Sequence, residues 1–135
     1  MSSPRIDGNI CARILTMAER FSSYAEFWPH YLREHSRPRT RSIHYAGTIT
    51  ALLLLAIGVV SGPWWLLVIA PFAGYGPAWI GHMFIEHNRP ATFTHPVWSL
   101  LSDFRMLFLW LTLRLEAELR GACVPGTVHG SPDPD

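Results

Sequence analysis

Histidines lie at both ends of the long apolar part of this chain. His44 stands at the start of one apolar run, a Gly62-Pro63 break ends that run, and His82 lies near the end of a second run. If the chain folds back at the break, His44 and His82 are each about 19 residues from the turn, or about 28 Å at the rise of an α-helix. Ionisable groups at one depth in an apolar hairpin are costly unless they are paired, and a shared metal ion would pair them.

Two further side chains extend the predicted metal site. Glu86 lies four residues after His82, so that both would project from one face of a helix, and His35 lies nine residues before His44, beyond an Arg-Pro break. Three imidazoles and one carboxylate suit iron, zinc or manganese, with Glu86 either as a fourth ligand or as a group that orients the ligands. Iron is favoured if a position stays open for oxygen, whereas zinc would activate water for hydrolysis.

Four polar side chains near the same end are candidates for supporting roles. Arg41 and Arg89 could hold a substrate carboxylate through paired hydrogen bonds, or act as topology signals and headgroup contacts. Asp103 could orient an imidazole from behind, or pair with an arginine at the interface. His95, next to Pro96, is expected first as a helix N-cap, with metal ligation as the alternative.

The composition excludes several classes of protein. Hydrophobic residues make up 49% of the chain and charged residues only 16%, below the quarter or so that is usual for soluble proteins. The formal net charge is +1 and the 11 basic residues, all arginines, form no dense tract, so that no nucleic-acid partner is expected. Cys11 and Cys123 lie far apart without partner spacing and are expected as reduced thiols.

The elements that must position these residues are all predicted to be helices. We expect an all-α membrane protein in which residues 43–61 and 64–85 form an antiparallel transmembrane hairpin. A third apolar helix, residues 97–115, contains Asp103 and either spans the bilayer or is half-buried. An amphipathic helix over residues 10–31 lies in the interface or packs on the bundle.

The domain organisation that follows is simple. A single helical membrane domain, residues 10–122, is expected between disordered segments at residues 1–9 and 123–135. Arg37, Arg39 and Arg41 directly precede the first apolar run, and the Gly62-Pro63 turn carries no charge. By the positive-inside rule the histidine end therefore faces the cytoplasm, with the lipid bilayer as partner.

Three separated stretches resemble the small multi-pass membrane family of 2-hydroxy fatty acid dioxygenases. The resemblance runs from about residue 21 to residue 115. The first stretch consists of YLREHSRP at residues 31–38 and HYAGT at 44–48. The second is GHMFIEHNRPA at 81–91, and the third is WSLLSDFRM at 98–106. The family pattern implies an iron(II)-dependent α-oxidation, in which a 2-hydroxy fatty acid reacts with O₂ and is shortened by one carbon. The motif histidines correspond to His35, His44 and His82, and the motif acid to Glu86.

The same resemblance indicates a bacterial-type member, located in the inner membrane, whose acyl substrate stays open. Thr40 stands where many members carry asparagine. Rival functions are a non-enzymatic helical membrane scaffold, a zinc-dependent membrane hydrolase and a protein that binds haem through two histidines. The oligomeric state is not predicted.

Overall fold

Helices account for all the regular structure in residues 21–124, the part of the chain that the computed structural model describes. The elements are α1 (Tyr24–Glu34), α2 (Pro38–Ser61), α3 (Trp65–Gly81), a π-helical turn (His82–Glu86), a 3₁₀ turn (Ala91–Phe93), α4 (Pro96–Leu111) and α5 (Leu115–Gly121). The prediction of an all-α chain is confirmed over this range. Residues 1–20 and 125–135, on which the predicted disordered ends and the first part of the amphipathic helix fall, lie outside the described residues.

The chain folds back between α2 and α3 at the predicted break. Gly62 ends α2 in the left-handed conformation, with φ 88°, and its N–H donates to the carbonyl of Gly58. Glycine adopts this conformation without the steric cost that a Cβ would add. Lower in the hairpin the two helices nearly touch, because a Cβ added to Gly47 would lie 2.7 Å from the carbonyl oxygen of Gly74.

The outward surface of this hairpin is apolar. In the described part of the chain, α2 is the one helix long and apolar enough to cross a membrane, with 24 residues and a mean hydropathy of 2.0. Large side chains such as Leu53, Val60 and Phe72 are 58%, 84% and 71% exposed. A contiguous apolar surface of this kind is unusual on a protein that is surrounded by water.

Helix α4 is shorter than the predicted third apolar helix. Its 16 residues span about 24 Å, less than the hydrocarbon thickness of about 30 Å, and the chain turns at Leu113 with φ 58° before it enters α5. Its inward face carries Ser102, Asp103 and Met106, all buried. The helix therefore supplies a polar residue to the interior of the molecule.

Helix α1 packs against α4 and α5 along one face. Phe27, Tyr31 and Leu32 are at most 1% exposed, and the indole N–H of Trp28 donates to the Glu118 carboxylate over 2.8 Å. The Arg105 guanidinium lies 4.2 Å from the centre of the Trp28 ring, a cation–π contact. This packing holds the end of α1 next to the start of α2.

Cys123, which follows α5, takes part in a disulfide bond. The prediction of reduced thiols was therefore wrong, because distance along the chain does not limit which residues folding brings together. The other cysteine, Cys11, lies outside the described residues.

The close contact in the hairpin leads to a test of its packing. We expect Gly47→Ala to destabilise the protein by about 1–3 kcal/mol, because the new Cβ meets rigid backbone at Gly74. Thermal unfolding in detergent measures the effect. Gly76→Ala on α3 is the control, since nothing lies within 4 Å of its added Cβ. Equal melting temperatures for the two variants would contradict the packing described.

Candidate metal centre

Three histidines from separate segments converge in one buried site. His35 caps the end of α1, His44 lies in the second turn of α2, and His82 begins the π-helical turn. Their exposed fractions are 1%, 6% and 2%. The Nε2 atom of His35 lies 3.0 Å from Nε2 of His44 and 3.0 Å from Nε2 of His82. The ligand atoms of all three lie within 4.8 Å of one another.

The outer nitrogens of two of these imidazoles contact atoms that can only accept a hydrogen bond. Nδ1 of His35 lies 2.7 Å from the backbone carbonyl oxygen of Tyr31, and Nδ1 of His44 lies 2.8 Å from a carboxylate oxygen of Asp103. Each Nδ1 must therefore carry the proton and donate it. In the neutral rings that metal ligation requires, the inward Nε2 atoms of His35 and His44 are then left with lone pairs.

The third imidazole is held in the same way by an amide. Nδ1 of His82 lies 2.7 Å from Oδ1 of Asn88, and the amide nitrogen of Asn88 donates to the Glu34 carbonyl over 3.3 Å. Because that second bond assigns the amide nitrogen, the oxygen faces His82 and accepts from it. His82 therefore also presents an unprotonated Nε2 to the site.

The lone pair of His35 Nε2 faces those of His44 and His82 at 3.0 Å each, and such lone pairs repel unless a cation lies among them. Nitrogen atoms at this separation match two ligands at right angles around an ion about 2.1 Å from each. The ring planes also stand nearly perpendicular to one another, at 81°, 87° and 83°. The donor set therefore fits a transition-metal ion, and imidazole suits iron, zinc, copper and nickel.

Burial keeps the site ready to bind a cation. Desolvation lowers the pKa of His35 well below its ordinary value, and the charged forms of His44 and His82 would lower that pKa further. The His35 ring is therefore neutral at pH 7 and available as a ligand. Metal ligation requires this neutral form.

Asp103 orients an imidazole from behind, which is one of the two roles that the sequence suggested. One of its oxygens accepts hydrogen bonds from Nδ1 of His44 and from the hydroxyl of Tyr31. Burial and the Asp103 charge raise the pKa of Tyr31 well above its ordinary value, so that this hydroxyl stays protonated and donates. The carboxylate thus fixes the tautomer and the orientation of His44.

The Glu86 carboxylate is hydrogen-bonded to the segment between α1 and α2, and it does not belong to the group of three imidazoles whose ligand atoms lie within 4.8 Å of one another. It accepts a hydrogen bond from the Ser36 hydroxyl over 3.2 Å and from the backbone N–H of Arg37 over 2.9 Å. These contacts fasten the segment between α1 and α2, where helix α2 begins without a side-chain cap from its own N-cap residue, Arg37. Glu86 therefore braces the turn that carries His35.

The local helix geometry explains this placement. The expectation that Glu86 shares a face with His82 assumes an α-helix, but residues His82–Glu86 form a π-helical turn, which changes the angle between successive side chains. The turn ends at His87 with φ 55°, and the N–H groups of His87 and Asn88 both donate to the His82 carbonyl. This closure brings Asn88 back to the ring of His82.

The two arginines lie in different surroundings. Nη1 of Arg41 donates to the carbonyls of His35 and Ser36, over 2.9 and 2.7 Å, and the side chain is buried. Arg41 thus holds the backbone of the turn that carries His35. Arg89 is exposed, at the rim of a separate surface cavity that Glu34 also lines.

His95 is remote from the three imidazoles. It occupies the N-cap position of α4 without a capping hydrogen bond from its side chain. Its ring stacks on Trp98, with centres 5.0 Å apart and planes at 5°, and its Nδ1 lies 3.1 Å from the Thr94 hydroxyl. The residue anchors the start of α4 against aromatic neighbours.

The sequence did not predict that Asn88 and the backbone carbonyl of Tyr31 orient imidazoles in the site. Asn88 lies within the stretch that carries the family resemblance, and its position six residues after His82 was the available signal. The carbonyl of Tyr31 leaves no signal at all, because every residue has one. Only its position four residues before His35 allows the contact.

A test of the orienting carboxylate follows from its single contact with the cluster. Asp103→Asn is expected to lower metal affinity about 10- to 100-fold, since it removes the charge behind His44. Competition of the purified protein with a chelator for Zn²⁺ and Fe²⁺ measures this change. Glu116→Gln, which alters an exposed carboxylate, serves as the control. Unchanged affinity in Asp103→Asn would remove Asp103 from the site.

The lowered pKa of His35 predicts a pH dependence for metal-free protein. Below about pH 6.5 the unfolded chain takes up a proton at His35 that the folded chain does not. Stability is therefore lost as pH falls, by up to about 1.4 kcal/mol per pH unit for this one group. Unfolding in detergent between about pH 5 and 8 gives the slope.

Two variants isolate the contribution of His35 to this slope. His35→Gln should make the slope shallower, and His87→Gln, at an exposed position, should leave it unchanged. An identical slope in wild type and His35→Gln would show that His35 titrates alike in folded and unfolded protein.

Comparison with known proteins now gives the family. The family model described as 2-hydroxy-palmitic acid dioxygenase Mpo1-like matches residues 21–115, which is well over half of the chain and includes all three histidines. No curated protein and no solved structure matches the chain. The resemblance found in the sequence is thus confirmed by an independent model. The chain belongs to the 2-hydroxy-palmitic acid dioxygenase Mpo1-like family.

Proposed function

We propose that this protein is an iron(II)-dependent dioxygenase that converts 2-hydroxy fatty acids into fatty acids one carbon shorter. The observation that carries the proposal is the convergence of three imidazole Nε2 atoms in a buried site. The family description supplies the class of substrate and the use of O₂.

The reaction balances without a further reductant. A 2-hydroxy acid and one O₂ yield the shorter acid, CO₂ and water. The α-carbon and the carboxyl carbon together lose four electrons, and O₂ accepts all four. Bound iron would supply the means to bind O₂ and to exchange these electrons with the substrate.

The residues of the chain divide into ligands and positioning groups. His35, His44 and His82 would hold the iron, and three protein ligands leave positions for O₂ and for the oxygens of the substrate. Asp103 and Asn88 orient two of these imidazoles through their Nδ1 protons. Burial of the site limits access of water to the reacting groups.

Glu86 and Arg41 act on the turn between α1 and α2. Glu86, expected as a ligand or an orienting group, is assigned the second role because its carboxylate is bonded to Ser36 and Arg37. Arg41 holds the carbonyl of His35 from the other side. The substrate carboxylate would therefore bind the iron rather than Arg41. The exposed Arg89 is the candidate for a contact with that carboxylate while the substrate enters.

The apolar surface of α2 and α3 supports location in a lipid bilayer, which a fatty acid substrate also requires. The two tryptophans at the far end of the hairpin, Trp64 and Trp65, are 71% and 52% exposed, as is usual for rings at a membrane interface. Arg37 and Arg39 lie at the histidine end. We therefore place the protein in a bacterial inner membrane with the metal centre on the cytoplasmic side.

A zinc hydrolase is the second candidate, because three histidines also form catalytic zinc sites. Such an enzyme would bind its metal in the same place and would not consume O₂. The nature of the metal and the uptake of O₂ therefore separate the two functions.

The decisive experiment loads detergent-purified protein with Fe²⁺ under anaerobic conditions and then adds 2-hydroxypalmitate and O₂. We expect one O₂ to be consumed for each molecule of pentadecanoate formed, as measured with an oxygen electrode and by mass spectrometry. His44→Asn should lose both iron and turnover, because it removes a converging nitrogen. His87→Asn, at an exposed position, should retain both.

Three results would contradict the proposal. Equal iron content in wild type and His44→Asn would remove the metal centre. Activity with Zn²⁺ but not Fe²⁺, without O₂ uptake, would favour the hydrolase. Metal-free protein of unchanged stability in all histidine variants would favour a scaffold.

A further inference from the structure

A cleft begins at the metal centre and runs along the hairpin. His44 and Asp103 lie at one end of it, and its volume is about 240 Å³. On α2 its wall continues from His44 to Leu55, a distance of about 16 Å at the rise of an α-helix. The cleft is therefore much longer than the metal centre itself.

The wall of this cleft changes in character along its length. His44 and Asp103 line its metal end, and α3 contributes Tyr75. Beyond Thr48 the residues contributed by α2 are apolar. A ligand that fills the cleft must therefore have a polar head and an apolar tail. A 2-hydroxy fatty acid has this shape, and a small polar substrate would leave the apolar part empty.

Small residues keep the cleft open. Ala70, on the wall formed by α3, is fully buried, and a Cβ added to Gly74 would lie 3.3 Å from the Cβ of Ala51. A large side chain at position 51 would therefore occupy the space between the helices. Position 51 lies between His44 and the far end of the cleft, one helical turn before Leu55.

The sides of the cleft face the apolar exterior of the protein. Leu52 and Leu55 on α2 are 42% and 38% exposed, and Leu100 and Phe104 on α4 are 43% and 40% exposed. These side chains line the cleft and the lipid-facing surface at once. A fatty acid dissolved in the bilayer could enter sideways between α2 and α4, without its tail crossing water.

We infer that this cleft is the binding site for the acyl chain of the substrate, and that Ala51 and Leu55 determine the chain length it accepts. The identity of the head group rests on the proposed dioxygenase function. The apolar tail site does not depend on which metal is bound. Since the tail leaves lipid rather than water, selection comes from the space available, not from hydrophobic transfer.

The first test locates the tail directly. A 2-hydroxypalmitate analogue with a diazirine near its methyl end is irradiated with the protein in lipid nanodiscs, and the labelled peptides are identified by mass spectrometry. We expect labelling near Leu55 that unlabelled 2-hydroxypalmitate suppresses. Labelling spread over lipid-facing positions such as Leu53 and Val60, with no competition, would overturn the inference.

The second test varies the space in the cleft. Unlabelled 2-hydroxy acids of different lengths compete with the photoreactive analogue, which gives a chain-length profile. In Ala51→Phe, long acids should compete about tenfold or more less well relative to short ones, because the new ring blocks the cleft. Leu53→Phe on the exposed face of α2 is the matched control and should leave the profile unchanged. An identical chain-length profile in Ala51→Phe and Leu53→Phe would overturn the assignment.

A third variant covers the case in which Ala51→Phe does not fold. Leu55→Ala enlarges the far end and should shift the preference toward longer acids, and an unshifted profile counts against the cleft. The tests also separate this inference from the proposed function. Specific labelling without iron-dependent turnover would support the tail-binding cleft and contradict the dioxygenase function. Turnover with only non-specific labelling would support the dioxygenase function and contradict the cleft.

Discussion

The repulsion among three inward-facing imidazole lone pairs is the constraint on which this structure depends. Nitrogen lone pairs that face one another 3.0 Å apart in a buried site repel unless a cation lies among them, so that each ring must be fixed from behind. The carbonyl of Tyr31, the carboxylate of Asp103 and the amide of Asn88 supply that support. Each of these groups comes from a different segment, so that α1, α4 and the residues after the π-helical turn all support one site.

The short connections around the metal centre are braced as firmly as the helices. Glu86 bonds to the turn between α1 and α2 from one side, and Arg41 bonds to its carbonyls from another. A turn held by a carboxylate and a guanidinium cannot easily move His35 away from the other two imidazoles. These two charged side chains thus hold the His35 imidazole next to the other two.

The two ends of the hairpin have opposite characters, and this division suits an amphiphilic substrate. At one end polar groups are concentrated around three histidines; along the rest of α2 and α3 the surface is apolar. The close approach of Gly47 to Gly74 joins the helices, while Ala51 and Ala70 leave room beside them. One pair of helices thus provides both the apolar outer surface and the proposed tail site.

The sequence by itself determined the helical segments, the fold-back at Gly62 and the three histidines, because helical periodicity and breaking residues act locally and correspond directly to depth along a hairpin. Tertiary structure alone decided which carboxylate touches an imidazole. Asp103 is 59 residues from His44 and reaches it only through the packing of α4, and Glu86 is turned toward Ser36 by a π-helical turn that no α-helical periodicity anticipates. The direction of a side chain depends on distant partners, whereas the backbone period does not.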